Sequence, residues 1–303
     1  MQSTLKRSVT LHGIGLHTGR PVRMTLRPAP VGHGIVFRRL DAGDALIPAL
    51  WSEVRQEPLN TRIGRGEVTV ATIEHLMAAC AGTGLANLLV DLDGPEVPAM
   101  DGSSAEFARA ILGAGLAEQD APLEAIVVRR PVMVRQGEAV ARLDPADGLI
   151  IDFTIDFAEG AIGRQTKRLD MANGTFLREL FDSRTFCRQS DVDAMRAAGL
   201  GLGGSYANAV VVEGARVLTP GGLRHPDEPV RHKMLDALGD LATAGAPLLA
   251  RYTGLRAGHA LTNALLRALF ADPANYRRIA CTEAQARRLP GVALGPADLA
   301  AVA

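Results

Sequence analysis

Aromatic side chains are scarce, at 4% of 303 residues with a single Trp. The core must therefore rest on Ala, Val, Leu and Ile, within an apolar fraction of 47%. Cysteine is scarcer still. Cys80, Cys187 and Cys281 are odd in number and widely spaced, which speaks against a disulfide framework and leaves no CxxC zinc pattern. A reducing compartment suits such thiols, and Cys80, set among apolar helix residues, reads as a core thiol. No apolar run approaches the roughly 18 residues of a membrane span. The N-terminal MQSTLKRSVT has no apolar stretch or small-residue cleavage site, so no signal peptide is expected there. Net charge is also missing: 33 basic side chains balance 33 acidic ones, which argues against bulk electrostatic binding of nucleic acid. What remains is a soluble globular profile, long enough for two ordinary domains or one large one.

Short alternating runs separated by Gly and Pro open the chain: Ser8–Leu11, Val22–Leu26 and Gly34–Arg38 read as strands. From Thr72 to Gly82 the period turns helical, with Thr72 as N-cap and Gly82 just past the C-terminus. A strand over Asn87–Leu92 follows. A helix over about Ala105–Gly113 comes next, capped by Ser103 or Ser104, with Asp101-Gly102-Ser103 as the turn before it. The polar, Pro-containing stretch Glu118–Leu123 marks a domain boundary, dividing the chain into 1–121 and 122–303. Strands are then expected over Ala125–Val128, Pro131–Val134, Ala139–Leu143 and Leu149–Phe157. Further on come a helix over about Val230–Gly245, a strand over Pro247–Thr253 and a helix over Ala260–Phe270. The run Glu74–Gly82 can be laid over Arg231–Gly239, each with a His opening an apolar helix. That weak repeat suggests duplication, with one ligand set from each copy meeting at the interface.

The densest chemistry lies in Val230-Arg231-His232-Lys233-Met234-Leu235-Asp236. On a helix His232 and Asp236 are i and i+4, so both leave one face about a turn apart and suit one metal ion. His75, preceded by Glu74, offers a third ligand. Three protein ligands leave a catalytic zinc an open position for water, and Glu74 is then a base for that water. The plainer alternatives are a helix-surface Asp236 paired with Lys233 and a capping or core-edge His75. His12, His33 and His225 read as surface residues, and the role of His17 stays open. The Gly-rich stretches His12–Gly19 and Gly199–Ser205 lack the context of a phosphate loop and read better as turns or a narrow channel wall.

Taken in order along nearly the whole chain, a set of motifs resembles the UDP-3-O-acyl-N-acetylglucosamine deacetylase family of lipid A biosynthesis. These are Gly13–Gly19, Thr72–Leu76, Met100–Ser103, Asp152–Phe157, Arg184–Phe186, Leu202–Ser205, Val230–Asp236 and Gly258–Leu261. The resemblance implies a zinc-dependent amidase that releases acetate from a UDP-linked acylated glucosamine, the committed step of that pathway. It implies an α+β fold of two topologically related domains, each a mixed sheet packed on helices, with the active site at their interface. An insert around Arg188–Val212 would hold the acyl chain.

By the same resemblance one Zn2+ per chain is held by His75, His232 and Asp236, with Fe2+ as a competitor set by availability. Glu74 is the general base, His259 the acid for the leaving nitrogen and Asp240 its carboxylate partner. Thr185 is an oxyanion donor. Lys233 and Arg256 stand near the diphosphate, and Phe157 and Phe186 contact substrate. The chain is expected to be a cytoplasmic monomer of a Gram-negative bacterium, binding neither nucleic acid nor membrane as an integral protein. Two departures stand out: Ala139, where the family often has a basic residue, and Cys187-Arg188 in place of Gly-Phe. Two other classes compete. A zinc peptidase would want a second His at i+4 after His75, which is absent; a non-catalytic sugar-nucleotide or nucleic-acid binding module would need neither Glu74 nor His259.

Overall fold

The computed structural model describes residues 1–57 and 59–300. Strand β1 (Gln2–Leu5) is followed by β2 (Val9–Ile14), β3 (Pro21–Pro28), β4 (Ile35–Arg39) and β5 (Ala45–Pro48). A small sheet of β6 (Val54–Arg55), β7 (Arg62–Arg65) and β8 (Val68–Val70) leads into helix α1 (Glu74–Thr83). Then come β9 (Leu88–Leu92), α2 (Ala105–Ala114) and β10 (Leu116–Gln119), which pairs back onto β1. The polar stretch read as a boundary is thus partly the end of β10, with β11 (Glu124–Val128) starting just beyond it.

The same plan then recurs. Strands β12 (Val132–Gln136), β13 (Ala139–Pro145), β14 (Leu149–Asp156) and β15 (Arg164–Asp170) come first, followed by the short α3 (Thr175–Glu179). Next are β16 (Phe186–Arg188), α4 (Gln189–Ala197), β17 (Val210–Glu213) and β18 (Arg216–Val217), whose three strands form a second small sheet. Helix α5 (Glu228–Ala242), β19 (Leu248–Leu255) and α6 (His259–Ala271) complete the repeat. Strand β20 (Tyr276–Ala280), α7 (Glu283–Ala286) and α8 (Pro296–Ala300) close the described chain.

The strand pairings follow one order twice. The first sheet runs β2-β3-β9-β4-β5, with β9 antiparallel to β3 and parallel to β4. In the second, β12-β13-β19-β14-β15 repeats that order, with β19 antiparallel to β13 and parallel to β14. Each unit places its three-stranded insert between the last outer strand and the helix that precedes the central strand. The sequence explains the layering. Strand β14 alternates buried and half-buried residues along its whole length, as expected when one face packs on helices. Helix α1 is buried almost all round by Leu76, Met77, Ala78, Ala79 and Cys80, because it packs against both α2 and α5. Large rings are few, and several gather at one spot, where Trp51 stacks on Phe270 at 5.0 Å and Tyr276 meets that ring edge-on.

Two expectations at the ends of α1 are corrected. Ile73, not Thr72, precedes the helix, and no side chain caps it; Thr72 sits at φ 58 and turns its hydroxyl to Glu96. Gly82 lies inside the helix, where the Phe176 ring packs so closely that a Cβ would come within 2.2 Å of it. The left-handed position belongs to Gly84, at φ 73. Helix α5 begins and ends earlier than its periodicity suggested, at Glu228 and Ala242.

Candidate active site

Helices α1 and α5 cross at a glycine. A Cβ on Gly239 would lie 2.0 Å from the Glu74 carbonyl oxygen, so only Gly admits this approach. The crossing sets the first turn of α1 against the face of α5 that carries His232 and Asp236. His232 Nε2 lies 3.2 Å from Asp236 Oδ1, His75 Nε2 lies 3.5 Å from the same oxygen, and the two rings meet edge-on at 5.0 Å. Among the described residues, these three donors form the one group of His, Cys and carboxylate ligand atoms within 4.8 Å of one another.

The donor set fits a divalent cation. His232 Nδ1 lies 2.9 Å from the Ser183 carbonyl, which takes the ring proton there and leaves the Nε2 lone pair facing inward. The Ser104 hydroxyl donates to the His75 carbonyl at 2.7 Å and fixes that turn. Asp236 Oδ1 is buried with no hydrogen-bond donor, while Oδ2 accepts from Lys233 Nζ at 2.7 Å. Burial alone would raise the Asp236 pKa, but His232 and Lys233 hold it well below the ordinary carboxylate range. Burial lowers the His75 pKa and favours the neutral ring that a metal needs. A buried carboxylate oxygen with no donor, facing two imidazole Nε2 atoms, is the chemistry of an imidazole–carboxylate metal site.

Beside it stand two buried titratable groups, Glu74 and His259, each with a raised pKa. Glu74 is buried, and desolvation pushes its pKa up to about 7 against the opposing charge of His259. Its Oε2 accepts from the Thr61 amide at 3.0 Å. His259 is the first residue of α6. Burial and the helix N-terminus both disfavour its cation. Asp240, with Nδ1 to Oδ2 at 2.9 Å, outweighs them and raises the pKa to about 9. The Nε2 of His259 points the other way, 4.0 Å from Glu74 Oε1. Thr61 joins both groups, because its hydroxyl also donates to Asp240 Oδ1 at 2.5 Å. Nothing in the sequence around Thr61 signals this role.

These groups open onto a cavity of about 810 Å³ that extends under the second insert, with Ile162, Val192, Met195 and Val211 among its apolar walls. Glu74, His75, Thr185, His232, Lys233, Asp236 and His259 line it, as do Phe157 and Phe186, whose rings meet edge-on at 5.4 Å. Asp240 reaches it only through His259. Arg256 does not line it; the guanidinium bonds Glu138 and, at 2.8 Å, Asp156. Arg188 stands at the rim, held by Asp191 at 2.7 Å and Glu159 at 3.5 Å, so two carboxylates balance its charge. Ala139 begins β13, paired with Gln136. His12 is exposed and His33 half-buried, but His225 is not a bare surface residue: its Nε2 lies 2.9 Å from Asp182. His17 is buried against the cavity.

The family model for LpxC, UDP-3-O-acyl N-acetylglycosamine deacetylase, matches residues 2–271. The chain belongs to this family. That LpxC-family stretch takes in α1, α5 and α6, and so Glu74, His75, His232, Asp236, Asp240 and His259. The chain is 48% identical over 300 residues to the UDP-3-O-acyl-N-acetylglucosamine deacetylase of Myxococcus xanthus (strain DK1622), covering 99% of this chain and 95% of that protein. It is 45% identical over 297 residues to the protein of the same name from Anaeromyxobacter sp. (strain Fw109-5), covering 97% of each. Among the described residues no helix is long and apolar enough to cross a membrane.

Proposed function

We propose that this chain hydrolyses the N-acetyl group of UDP-3-O-acyl-N-acetylglucosamine on one zinc ion held by His75, His232 and Asp236. The observation that carries this reading is the buried Asp236 Oδ1, which has no donor and faces two imidazole nitrogens inside a chain of this family. When bound, zinc supplies a Lewis acid for the amide carbonyl and an acidified water.

The remaining steps belong to side chains. Glu74 Oε1 takes the proton of the attacking water. Its raised pKa makes it a stronger base than an exposed carboxylate. The Thr185 hydroxyl, on the cavity wall, donates to the developing oxyanion. His259 Nε2 gives its proton to the nitrogen as the C–N bond breaks, so acetate and a free amine leave. Asp240 keeps His259 charged until then. Lys233 binds near the diphosphate, Phe157 lines the nucleotide region, Phe186 contacts substrate, and the second insert encloses the acyl chain. Arg256, tied to Asp156 and Glu138, reaches the nucleotide only if those pairs open.

The proposed units are residues 1–121 and 122–303, the last three residues lying outside the described chain. The catalytic groups meet where the helices of the two units cross. All of them come from one chain, which supports a working monomer. Three free cysteines and a nucleotide-sugar substrate support a cytoplasmic setting.

The test is acetate release from UDP-3-O-acyl-N-acetylglucosamine by purified protein, with chelator and with zinc added back. Release that the chelator abolishes and zinc restores is expected. A folded, metal-loaded protein that releases no acetate would overturn the proposal.

A further inference from the structure

The turn at Gly15–Gly19 holds a histidine that the chemistry above leaves idle. His17 is 7% exposed and lines the catalytic cavity, and neither ring nitrogen has a hydrogen-bond partner among the described residues. A buried imidazole without partners is costly, and such a group in a native fold calls for an explanation. This one is deliberately held. The fully buried Glu96 carboxylate accepts from the His17 amide at 2.8 Å and the Thr18 amide at 2.9 Å. It also accepts from the hydroxyls of Thr18 at 2.8 Å and Thr72 at 3.0 Å.

On the other side the turn is clamped to the insert. The Gly203 amide donates to the Leu16 carbonyl at 3.0 Å and the Leu202 amide to the His17 carbonyl at 3.3 Å. A Cβ on Gly203 would lie 2.3 Å from the Gly15 carbonyl oxygen. The two glycine-rich stretches are therefore halves of one latch, and His17 sits at its seam. Thr72, bound to the same Glu96, leads directly into Glu74 and His75. His17 lines the same cavity as Glu74 and His75 and as Val192, Met195 and Val211 of the insert.

Desolvation lowers the His17 pKa, so the ring is neutral and carries one N–H donor. In a 3-O-acylated sugar nucleotide, the polar function between sugar and alkyl chain is the ester. We propose that His17 is a specificity-determining residue that donates a ring N–H to the carbonyl oxygen of the 3-O-acyl ester. This rests on the substrate reading above. A site built around a buried donor rejects a ligand lacking the acceptor, because the donor is then left unpaired.

The test is a cycle across ligand and protein, using the metal-loaded full chain. Binding is measured for the product UDP-3-O-acyl-glucosamine and for its ether-linked counterpart, in which a methylene replaces the ester carbonyl. The native protein is expected to bind the ester about tenfold or more tightly than the ether. His17→Phe is expected to bind the two alike, and His17→Gln, which keeps an N–H, to restore part of the preference. Equal binding of ester and ether by the native protein overturns the proposal without any variant. A full preference retained in His17→Phe overturns it equally. Native protein that neither binds nor forms the ester product sinks the substrate reading itself; turnover without ester preference sinks only the role of His17.

Discussion

The Nδ1 atom of His259 lies 2.9 Å from Oδ2 of Asp240, and the other Asp240 oxygen accepts from Thr61 at 2.5 Å. Asp240 is thus held from two sides while it holds the imidazole. His259→Ala is expected to lower kcat by about 10²–10⁴-fold, the usual worth of a positioned acid. Asp240→Asn keeps the shape but weakens the cation, so its loss in kcat should be smaller, with KM little changed. Thr61→Val should reproduce part of that loss. Steady-state kinetics on the three variants decides the order, and an Asp240→Asn enzyme as fast as the native one would remove Asp240 from the relay.

Glu74 and the metal ligands separate by metal content. Glu74→Gln leaves the three donors in place, so zinc stoichiometry by elemental analysis should match the native protein while turnover falls by about 10²–10⁴-fold. Asp236→Ala removes the oxygen shared by both imidazoles, and both zinc and activity should be lost. Full activity in a zinc-loaded Glu74→Gln sample would refute the general-base role.

Much of this site was legible because helices repeat every 3.6 residues. His232 and Asp236 share a face by spacing alone, and each of His75 and His232 opens an apolar run. What was not legible depends on distance along the chain. Thr61 reaches Asp240, 179 residues away, through a backbone course no local pattern encodes. His225 meets Asp182 in the same way. Strand β15 also escaped notice. Its half-buried face carries Gln165, Lys167 and Leu169, two of them polar, so this outer strand, paired with β14 alone, shows no hydrophobic alternation. Gly82 and Gly84 show the limit at single residues: Gly82 is glycine because Phe176 packs on it, and Gly84 is the one that turns left-handed and ends the helix.

Glu228 ties stability to pH. It is fully buried and accepts from Arg184 Nε and the Arg184 amide, each at 2.9 Å, and from the Arg224 amide at 2.7 Å. Burial alone would raise its pKa, but Arg184 and these amides lower it below the ordinary range. A depressed folded pKa means the stabilisation is fully present above the unfolded value of about 4.3. It is lost as pH falls from there toward the folded value. Glu228→Gln strands a buried guanidinium, so a loss of about 3–5 kcal/mol at neutral pH is expected. The acid limb of its stability curve should be shallower. Urea unfolding from pH 3 to 7 measures both, and parallel curves for native protein and variant would show that Glu228 does not govern acid unfolding.

Gly239 offers the sharpest test of how the two ligand-bearing helices are held. Its missing Cβ leaves room for the Glu74 carbonyl, and backbone on both sides cannot yield. Gly239→Ala should therefore push α1 from α5, costing about 1–3 kcal/mol as overpacking does. His75 would separate from Asp236, so zinc affinity and kcat should fall together. Gly113→Ala is the control. That glycine lies in α2 with open space where its Cβ would stand, so alanine should stabilise the fold by about 0.5–1 kcal/mol. Thermal unfolding and zinc titration of both variants provide the comparison. If Gly239→Ala binds zinc as tightly as Gly113→Ala, the helix crossing does not set the metal geometry.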